Sequence, residues 1–503
     1  MKNISRSLII VFLLLALQAM PVASFATVQS GWQQAGWLDN FEAAAEKARA
    51  GNRPLLVYFD ALWCSWCQQY RREVLDRPDV QSFIQRHYVA VVVDFDARPD
   101  LFSRFGGVGL PFTVVLSAQG RPVNRFVGIL SEVNFLAMLQ DSMERSGLQP
   151  VSDSDISGVV YAGEADRASY QRFRQAFLQH VDQLYSAQLA TLAGQYESGA
   201  TLKRPSPQTW WYLTKHGLWP QRVKKAVLAE RDRLLDRQHG GFFNFLDSSG
   251  PEADYLESAK LLEANAWLIA WFASAAQTMP VARVVAEQSW FYLRDVLWDE
   301  KQGGFWQAQV ADNEYYALAA AEKLKRSPPP VDKIKRADTN AQAAVALHRA
   351  GRELNNAEMK HYAAQTLDFV VAHLMPDDVL FHVRDAAGES VVAFPQDWFW
   401  LLLAAQEVGN GDQQRERKLK LLAKQAGAWL QQQMNKKSAA PLPPELIALI
   451  AASSCRPDAF SQLPESTCVW ALRQLRIEAE TPPDVIVPGL LAWQAYLAGT
   501  AAH

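Results

Sequence analysis

Four cysteines stand in two local pairs, Cys64 with Cys67 and Cys455 with Cys468. The first pair, in Trp63-Cys64-Ser65-Trp66-Cys67, lies between an apolar run and a polar segment of helical spacing, and so at a strand-to-helix turn. A thiol at a helix N-terminus faces unpaired N–H groups and the positive end of the helix dipole, both of which favour the thiolate. Cys64 is therefore the candidate nucleophile for thiol–disulfide exchange. Two intervening residues put Cys67 one turn further on, where it can attack a mixed disulfide at Cys64, and it is the candidate resolving thiol. Two plainer explanations compete. A structural zinc site needs about four ligands, and neither a second CxxC nor a His pair accompanies this motif, so no metal is expected; nor is any other cofactor. A purely structural bond here would close too short a loop to gain much.

Cys455 and Cys468 instead bracket a polar connection between the apolar runs 446–452 and 469–472. In an oxidising compartment such a pair is expected to form a structural disulfide, stabilising the fold by about 3 kcal/mol on the chain-entropy model. A third group of interest is acidic. Asp254, Glu257, Asp338 and Asp397 each stand at or just before the most apolar helical segments and form a possible ligand funnel. Two carboxylates about 5 to 10 Å apart can hydrolyse a glycosidic bond, but acids at helix starts more commonly cap N–H groups and complement the dipole. Likewise Trp210, Trp211, Trp267, Trp271, Trp306, Trp398 and Trp400 suit either sugar stacking or core packing, and packing is favoured.

The elements that must position these residues change character along the chain. Helical segments over 41–50, 68–75, 80–87 and 132–145 alternate with strand candidates over 54–61, 89–93, 113–116 and 124–128, which predicts one α/β domain with a central sheet. From 148 to 168 the pattern dissolves into a linker. Beyond it, helical segments repeat to the end. Two of them stop in closely similar ways, Leu234-Leu235-Asp236 running to Gly240-Gly241-Phe242 and Leu297-Trp298-Asp299 running to Gly303-Gly304-Phe305, with a looser version from Leu374 to Val383. The helices over 261–272, 341–347 and 398–405 are apolar around most of their circumference, whereas 222–236 has a single apolar stripe. Concentric rings of helices require such an alternation.

The chain has 503 residues, 49% apolar and 20% charged, enough for substantial cores. Fifty basic against fifty-three acidic residues give a net charge of -3, so no basic excess is available to neutralise a phosphate backbone and no nucleic acid partner is expected. Lys2 and Arg6, the apolar stretch 8–20 and the small residues Ala23-Ser24-Phe25-Ala26 read as a signal peptide, residues 1–26, cut after Ala26. The apolar stretch is too short for a bilayer span, which needs about 20 residues. The mature chain is expected to be exported, periplasmic and soluble.

Val57-Tyr58-Phe59-Asp60-Ala61 leading into the CxxC, followed by Val108-Gly109-Leu110-Pro111-Phe112-Thr113, resembles the thioredoxin superfamily. Within it the segment is most similar to the C-terminal domain of the reductant transporter DsbD and to the thioredoxin domains of YyaL-type proteins. The resemblance implies that Pro111 is cis beside the two sulfurs and that Leu110 offers its backbone to a bound peptide. It also implies partners bearing protein thiols or disulfides, a membrane reductant transporter among them, and reduction as the net direction. One departure stands out. The family commonly has a buried acid six residues before the first Cys, and this chain has Tyr58, with Asp60 and Asp94 as possible substitutes. Trp63 and Trp66 suit an apolar docking lip for a protein substrate and simple packing equally well. Asp338-Thr339-Asn340 and Pro395-Gln396-Asp397-Trp398, each opening an apolar helix, resemble six-hairpin (α/α) barrels; thioredoxin domain then barrel is the YyaL-type order.

The expected architecture is an α/β thioredoxin-like domain (27–147), a linker (148–168) and an all-α (α/α) barrel-like domain (169–503). The expected function is an exported thiol–disulfide oxidoreductase that reduces protein disulfides, its barrel binding a partner or ligand. Two alternatives remain open: a carbohydrate-active or carbohydrate-binding barrel with an accessory thioredoxin domain, and a non-enzymatic scaffold.

Overall fold

The computed structural model describes residues 36–145, 159–192, 206–247, 255–384, 390–409, 411, 413–435, 442–456, 463–464, 466–478 and 481–500. The expected signal peptide and its cleavage point lie outside them, as does Asp254. Most residues up to Val151 form one compact unit and most from Ser152 a second.

In the first unit the strands are β1 (Leu55–Asp60), β2 (Val89–Asp94), β3 (Phe112–Leu116) and β4 (Pro122–Val127), in the order β2-β1-β3-β4. β1 runs parallel to β2, with Leu55 opposite Val89, and antiparallel to β3, which pairs antiparallel with β4. β1 is buried along its whole length, which explains why its sequence is continuously apolar rather than alternating. Its side chains still alternate between two cores. Leu56 and Tyr58 join Val92, Val115, Tyr70 and Phe135 on one face, while Leu55, Val57 and Phe59 join Val91, Val114, Ala44 and Phe102 on the other. In chain order the helices of this part are α1 (Phe41–Ala50), α2 (Ser65–Tyr70), α3 (Pro78–His87), α4 (Pro99–Arg104) and α5 (Glu132–Arg145), with residues 62–68 clustering apart from the first unit. α2 continues through a π-helical turn, Arg71–Leu75, which accounts for the single helical pattern read across 68–75. The short α4 escapes sequence reading because six residues give too little periodicity.

Among the described residues the second unit carries six helix pairs. Outer helices α6 (Arg167–Leu192), α8 (Pro220–Leu234), α10 (Pro280–Tyr292), α12 (Ala357–Phe369), α14 (Gln413–Asn435) and α16 (Thr467–Gln474) surround inner helices α7 (Pro207–Lys215), α9 (Leu262–Ala275), α11 (Ala337–Glu353), α13 (Pro395–Val408), α15 (Pro444–Ser454) and α17 (Pro483–Thr500). Each inner helix packs against the next, and α17 returns to α7, so the inner ring closes. Each outer helix packs on at least one inner helix, and α12 and α16 each pack on two. The unit is an (α/α) barrel following an α/β domain, as the sequence implied. The three segments singled out for all-round apolarity belong to α9, α11 and α13; α7, α15 and α17 complete the ring. Short strands connect the helices where the sequence shows almost no strand signal, including Val160–Tyr161 paired with Arg476–Ile477.

The two Gly-Gly stops are built alike. Gly240, Gly241, Gly303 and Gly304 all have φ between 72° and 76°, where an L side chain is strained. A Cβ at Gly241 would also stand 2.4 Å from Tyr292, and one at Gly304 2.4 Å from Phe369. Each stop is pinned by a buried lysine. Lys260 Nζ donates to Asp236 (2.7 Å) and to the Gly240 carbonyl (2.8 Å), and Lys335 Nζ donates to Asp299 (2.6 Å) and the Gly303 carbonyl (2.8 Å). Five residues after each lysine, Asn265 and Asn340 clasp the backbone of Phe242 and Phe305 through both amide atoms. The repeat visible in sequence is thus a repeated ion-pair and amide clasp. Among the described residues no helix is long and apolar enough to cross a membrane.

Candidate functional site

β1 delivers the chain to the CxxC through Ala61, Leu62 and Trp63. Cys64 stands at the helix start, its carbonyl accepting from Gln68 N (3.2 Å), and Gln68 Nε2 donates back to the Leu62 carbonyl (3.0 Å), fixing the turn. The backbone N–H of Cys67 donates to Cys64 Sγ at 3.1 Å. That contact, added to the helix dipole, stabilises negative charge on Cys64 specifically. Cys64 and Cys67 are joined in a disulfide, with Cα atoms 5.3 Å apart. Cys64 and Cys67 are both buried.

The Leu110–Pro111 peptide is cis, immediately before β3, and the Pro111 carbonyl accepts from Gly128 N at 2.8 Å. Trp63 is buried, whereas Trp66 is half-buried. The buried acid on this strand is Asp60, two residues along the same face of β1 from Tyr58. Burial raises its pKa to about 7 against the opposing pull of Arg71 and of the Ala61 N–H, which donates to Oδ1 at 2.9 Å. Tyr58 is also raised, first by burial and then by Asp60. Asp94, the other possible substitute, accepts from Ala97 N at 3.0 Å in the turn after β2.

In the second unit, Cys455 and Cys468 are bonded and link the end of α15 to the start of α16. Asp338 and Asp397, at the starts of α11 and α13, come together around a residue that sequence reading missed. His382 Nδ1 lies 2.8 Å from Asp397 Oδ1 and 3.9 Å from Asp338 Oδ1. Arg336 grips Asp338 through Nε (3.0 Å) and Nη2 (2.6 Å), and the Phe394 N–H caps onto Asp397 Oδ2 (2.7 Å). Burial opposes charge on His382, but Asp397 and Asp338 outweigh it and raise its pKa. Burial likewise opposes charge on Asp338, yet Arg336 and His382 hold it below its ordinary value. Two carboxylates thus face one imidazole and one guanidinium. These three donors, Asp338, His382 and Asp397, are the described residues best placed to ligate a metal, their atoms lying within 4.8 Å of one another. A cation there would have to displace both the imidazole proton and Arg336, so the donor set fits an ion network better than a metal site. Glu257 is buried in a short hairpin, opposite Phe245. A histidine within the loose third copy of the helix stop was the available signal for His382. Nothing in local spacing marked Arg336.

Residues 41–142 match the family described as a thioredoxin-like domain. Over 106 residues the chain is 30% identical to thioredoxin from Alicyclobacillus acidocaldarius, covering 94% of that protein and 20% of this chain. The chain belongs to the thioredoxin-like family. Among solved structures, its thioredoxin-like part is similar to the oxidised DsbD C-terminal domain of Neisseria meningitidis, at 19% identity and a TM-score of 0.19, covering 21% of this chain and 98% of that one. The chain is also similar to cellobiose 2-epimerase from Spirochaeta thermophila, at 13% identity and a TM-score of 0.45, covering 66% of this chain and 99% of that one.

Proposed function

We propose that the protein is an exported, periplasmic thiol–disulfide oxidoreductase that reduces disulfides in protein substrates, with a barrel that binds a partner or ligand. The observation that carries this is the placement of Cys64 at the helix start with the Cys67 N–H on its sulfur. In the reduced enzyme the Cys64 thiolate attacks one sulfur of a substrate disulfide, forming a mixed disulfide and releasing one substrate thiolate. The Cys67 thiolate then attacks Cys64 Sγ, which re-forms the Cys64–Cys67 bond and releases the second substrate thiolate. Two electrons pass from the enzyme dithiol to the substrate, and a thiol-bearing reductant, such as a membrane reductant transporter, must restore the dithiol. Asp60 is the acid we assign to receive the Cys67 proton, because a carboxyl held near 7 can both accept and return it at neutral pH. Leu110 and Pro111 are assigned to the peptide-binding edge, and Trp66, the less buried indole, to its apolar rim.

The reading is tested by reduction of insulin with a dithiol as electron source. Cys64→Ser should abolish turnover, and wild-type turnover no faster than the dithiol alone would overturn it.

A second reading, a carbohydrate-binding barrel, finds no open aromatic face, because Trp210, Trp211, Trp267, Trp271 and Trp400 are buried in the barrel core. Glycoside hydrolysis by Asp338 and Asp397 is not supported, since Arg336 and His382 hold the Asp338 carboxyl below its ordinary value and the Asp397 carboxylate is taken up by His382 Nδ1 and the Phe394 N–H.

A further inference from the structure

Residues 62–68, which carry the CxxC, cluster with the second unit. Within that unit the two residues between the cysteines are gripped by one short strand, Tyr255–Glu257. The strand is itself fixed by antiparallel pairing with Phe245–Asp247 and by the Asn244 N–H, which donates to the Glu257 carbonyl at 3.1 Å. Tyr255 and Glu257 are two residues apart, so their side chains leave the strand on one face. Both reach Ser65, and the Tyr255 ring also meets Trp66, with centroids 4.6 Å apart and planes at 70°.

Proton accounting sets the direction of these bonds. The Ser65 hydroxyl has one proton, and it donates to Glu257 Oε2 at 2.6 Å. Tyr255 and Ser65 are also hydrogen-bonded through their hydroxyls, so Tyr255 is the donor there. Glu257 Oε1 in turn accepts from the Ala259 N–H at 3.4 Å. Glu257 is 1% exposed, and both of its oxygens accept, as those of a carboxylate do.

The consequence falls on the neighbouring sulfur. α2 carries no charged residue, and the Cys64 thiolate is favoured by the Cys67 N–H and the helix dipole. Glu257 acts the other way twice. It takes up the one proton that Ser65 could offer to an adjacent thiolate, and negative charge beside a thiol disfavours ionisation. A less stabilised thiolate makes the dithiol a better electron donor, just as stabilising the reduced form makes a CxxC protein a stronger oxidant. We propose that Glu257 is a positioning residue for exchange at Cys64: acting through Ser65, it holds back the thiolate and biases the pair toward giving electrons to its substrate. This rests on reading the CxxC as an exchange site, and it supplies a structural cause for the direction proposed there.

The test is made on the full chain with two measurements. Alkylation of reduced Cys64 by iodoacetamide across a pH series reads the thiolate. Equilibration with glutathione reads the potential, two glutathione thiols reducing the Cys64–Cys67 bond and leaving as one glutathione disulfide. Peptide mass spectrometry counts this pair apart from Cys455 and Cys468. In Glu257→Gln the alkylation midpoint should fall by about one pH unit. The glutathione equilibrium should move about tenfold toward the dithiol, which is about 30 mV for a two-electron couple. Asp60 and the Arg71 that opposes it are present in every variant, so the difference belongs to Glu257. Glu257→Asp keeps the charge and should recover at least about half of the shift. Glu257→Ala replaces the glutamine variant if the latter fails to melt cooperatively, and it must move both readings in the same direction. A midpoint that stays put or rises in the neutral variant would overturn the inference, and so would an aspartate variant that behaves like the glutamine one. Insulin reduction that Cys64→Ser abolishes leaves the exchange reading standing in either case, whereas reduction surviving in Cys64→Ser removes both.

Discussion

The two cysteine pairs are both bonded, yet their surroundings differ in every respect that governs sulfur chemistry. Cys64 heads a helix directly after a central strand, its sulfur accepts a backbone N–H, and its partner lies three residues on. Cys455 and Cys468 lie thirteen residues apart, tying the end of one barrel helix to the start of the next. On the proposed function, the same bond is an exchangeable group in one region and a tether in the other. Placement on the backbone, rather than the presence of a disulfide, decides which.

Substitutions should separate the two regions, and the largest effect is expected at the exchange site. Cys64→Ser should lower insulin reduction by about a thousandfold or more, because no other described thiol combines a helix start with a donated N–H. Barrel substitutions should act on stability instead. Lys260→Met leaves the buried Asp236 without its cation and should cost about 3 to 5 kcal/mol in denaturant unfolding, while exchange at temperatures below melting stays at the wild-type rate. A fall in exchange that matched Cys64→Ser would erase the distinction between the regions.

Asp60→Asn sharpens the comparison from the first unit's side. In the folded chain the carboxyl keeps its proton to about pH 7, whereas its ordinary value is 3.8. Between those values the unfolded state binds fewer protons, so wild-type stability falls as pH rises through the window and is fully reduced above it. The asparagine variant lacks this slope. Unfolding free energies at pH 4 and pH 7.5 should therefore diverge in its favour by up to ~4 kcal/mol at the higher pH, with exchange slowed near neutrality. A constant difference across that range would show that Asp60 is not held protonated. Replacing Cys455 and Cys468 together by Ser should lower stability by about 3 kcal/mol and leave insulin reduction intact. Reduction lost to the extent seen in Cys64→Ser would make this pair part of an electron relay.

What the sequence disclosed followed from locality. The CxxC, the run Leu55 to Phe59 and the Gly-Gly stops carry their meaning within a few residues, and their elements formed where expected. Asp60 and Asp94 were both readable as possible substitutes for the acid absent at Tyr58, and nothing local chose between them. The ion network around His382 and the pairing of Arg349 and Arg456 with Glu407 were not readable. Their members come from different helix pairs, and only the packing of α11 on α13 and of α13 on α15 brings them together. Lys260 and Lys335 fall between these cases. Each stands five residues before an Asn, a repeat visible in the sequence, but the lysine's partner lies in the preceding helix stop.

The central claim is that Cys64 is the attacking sulfur, and it is tested most directly by trapping. A Cys67→Ala variant, reduced and mixed with a disulfide-bonded protein, cannot resolve the intermediate. Peptide mass spectrometry under non-reducing conditions should find the substrate joined to Cys64, with Cys455 and Cys468 still joined to each other. A substrate adduct on Cys455 or Cys468, or no adduct at Cys64 while the Cys64→Ala variant traps at Cys67, would contradict the account.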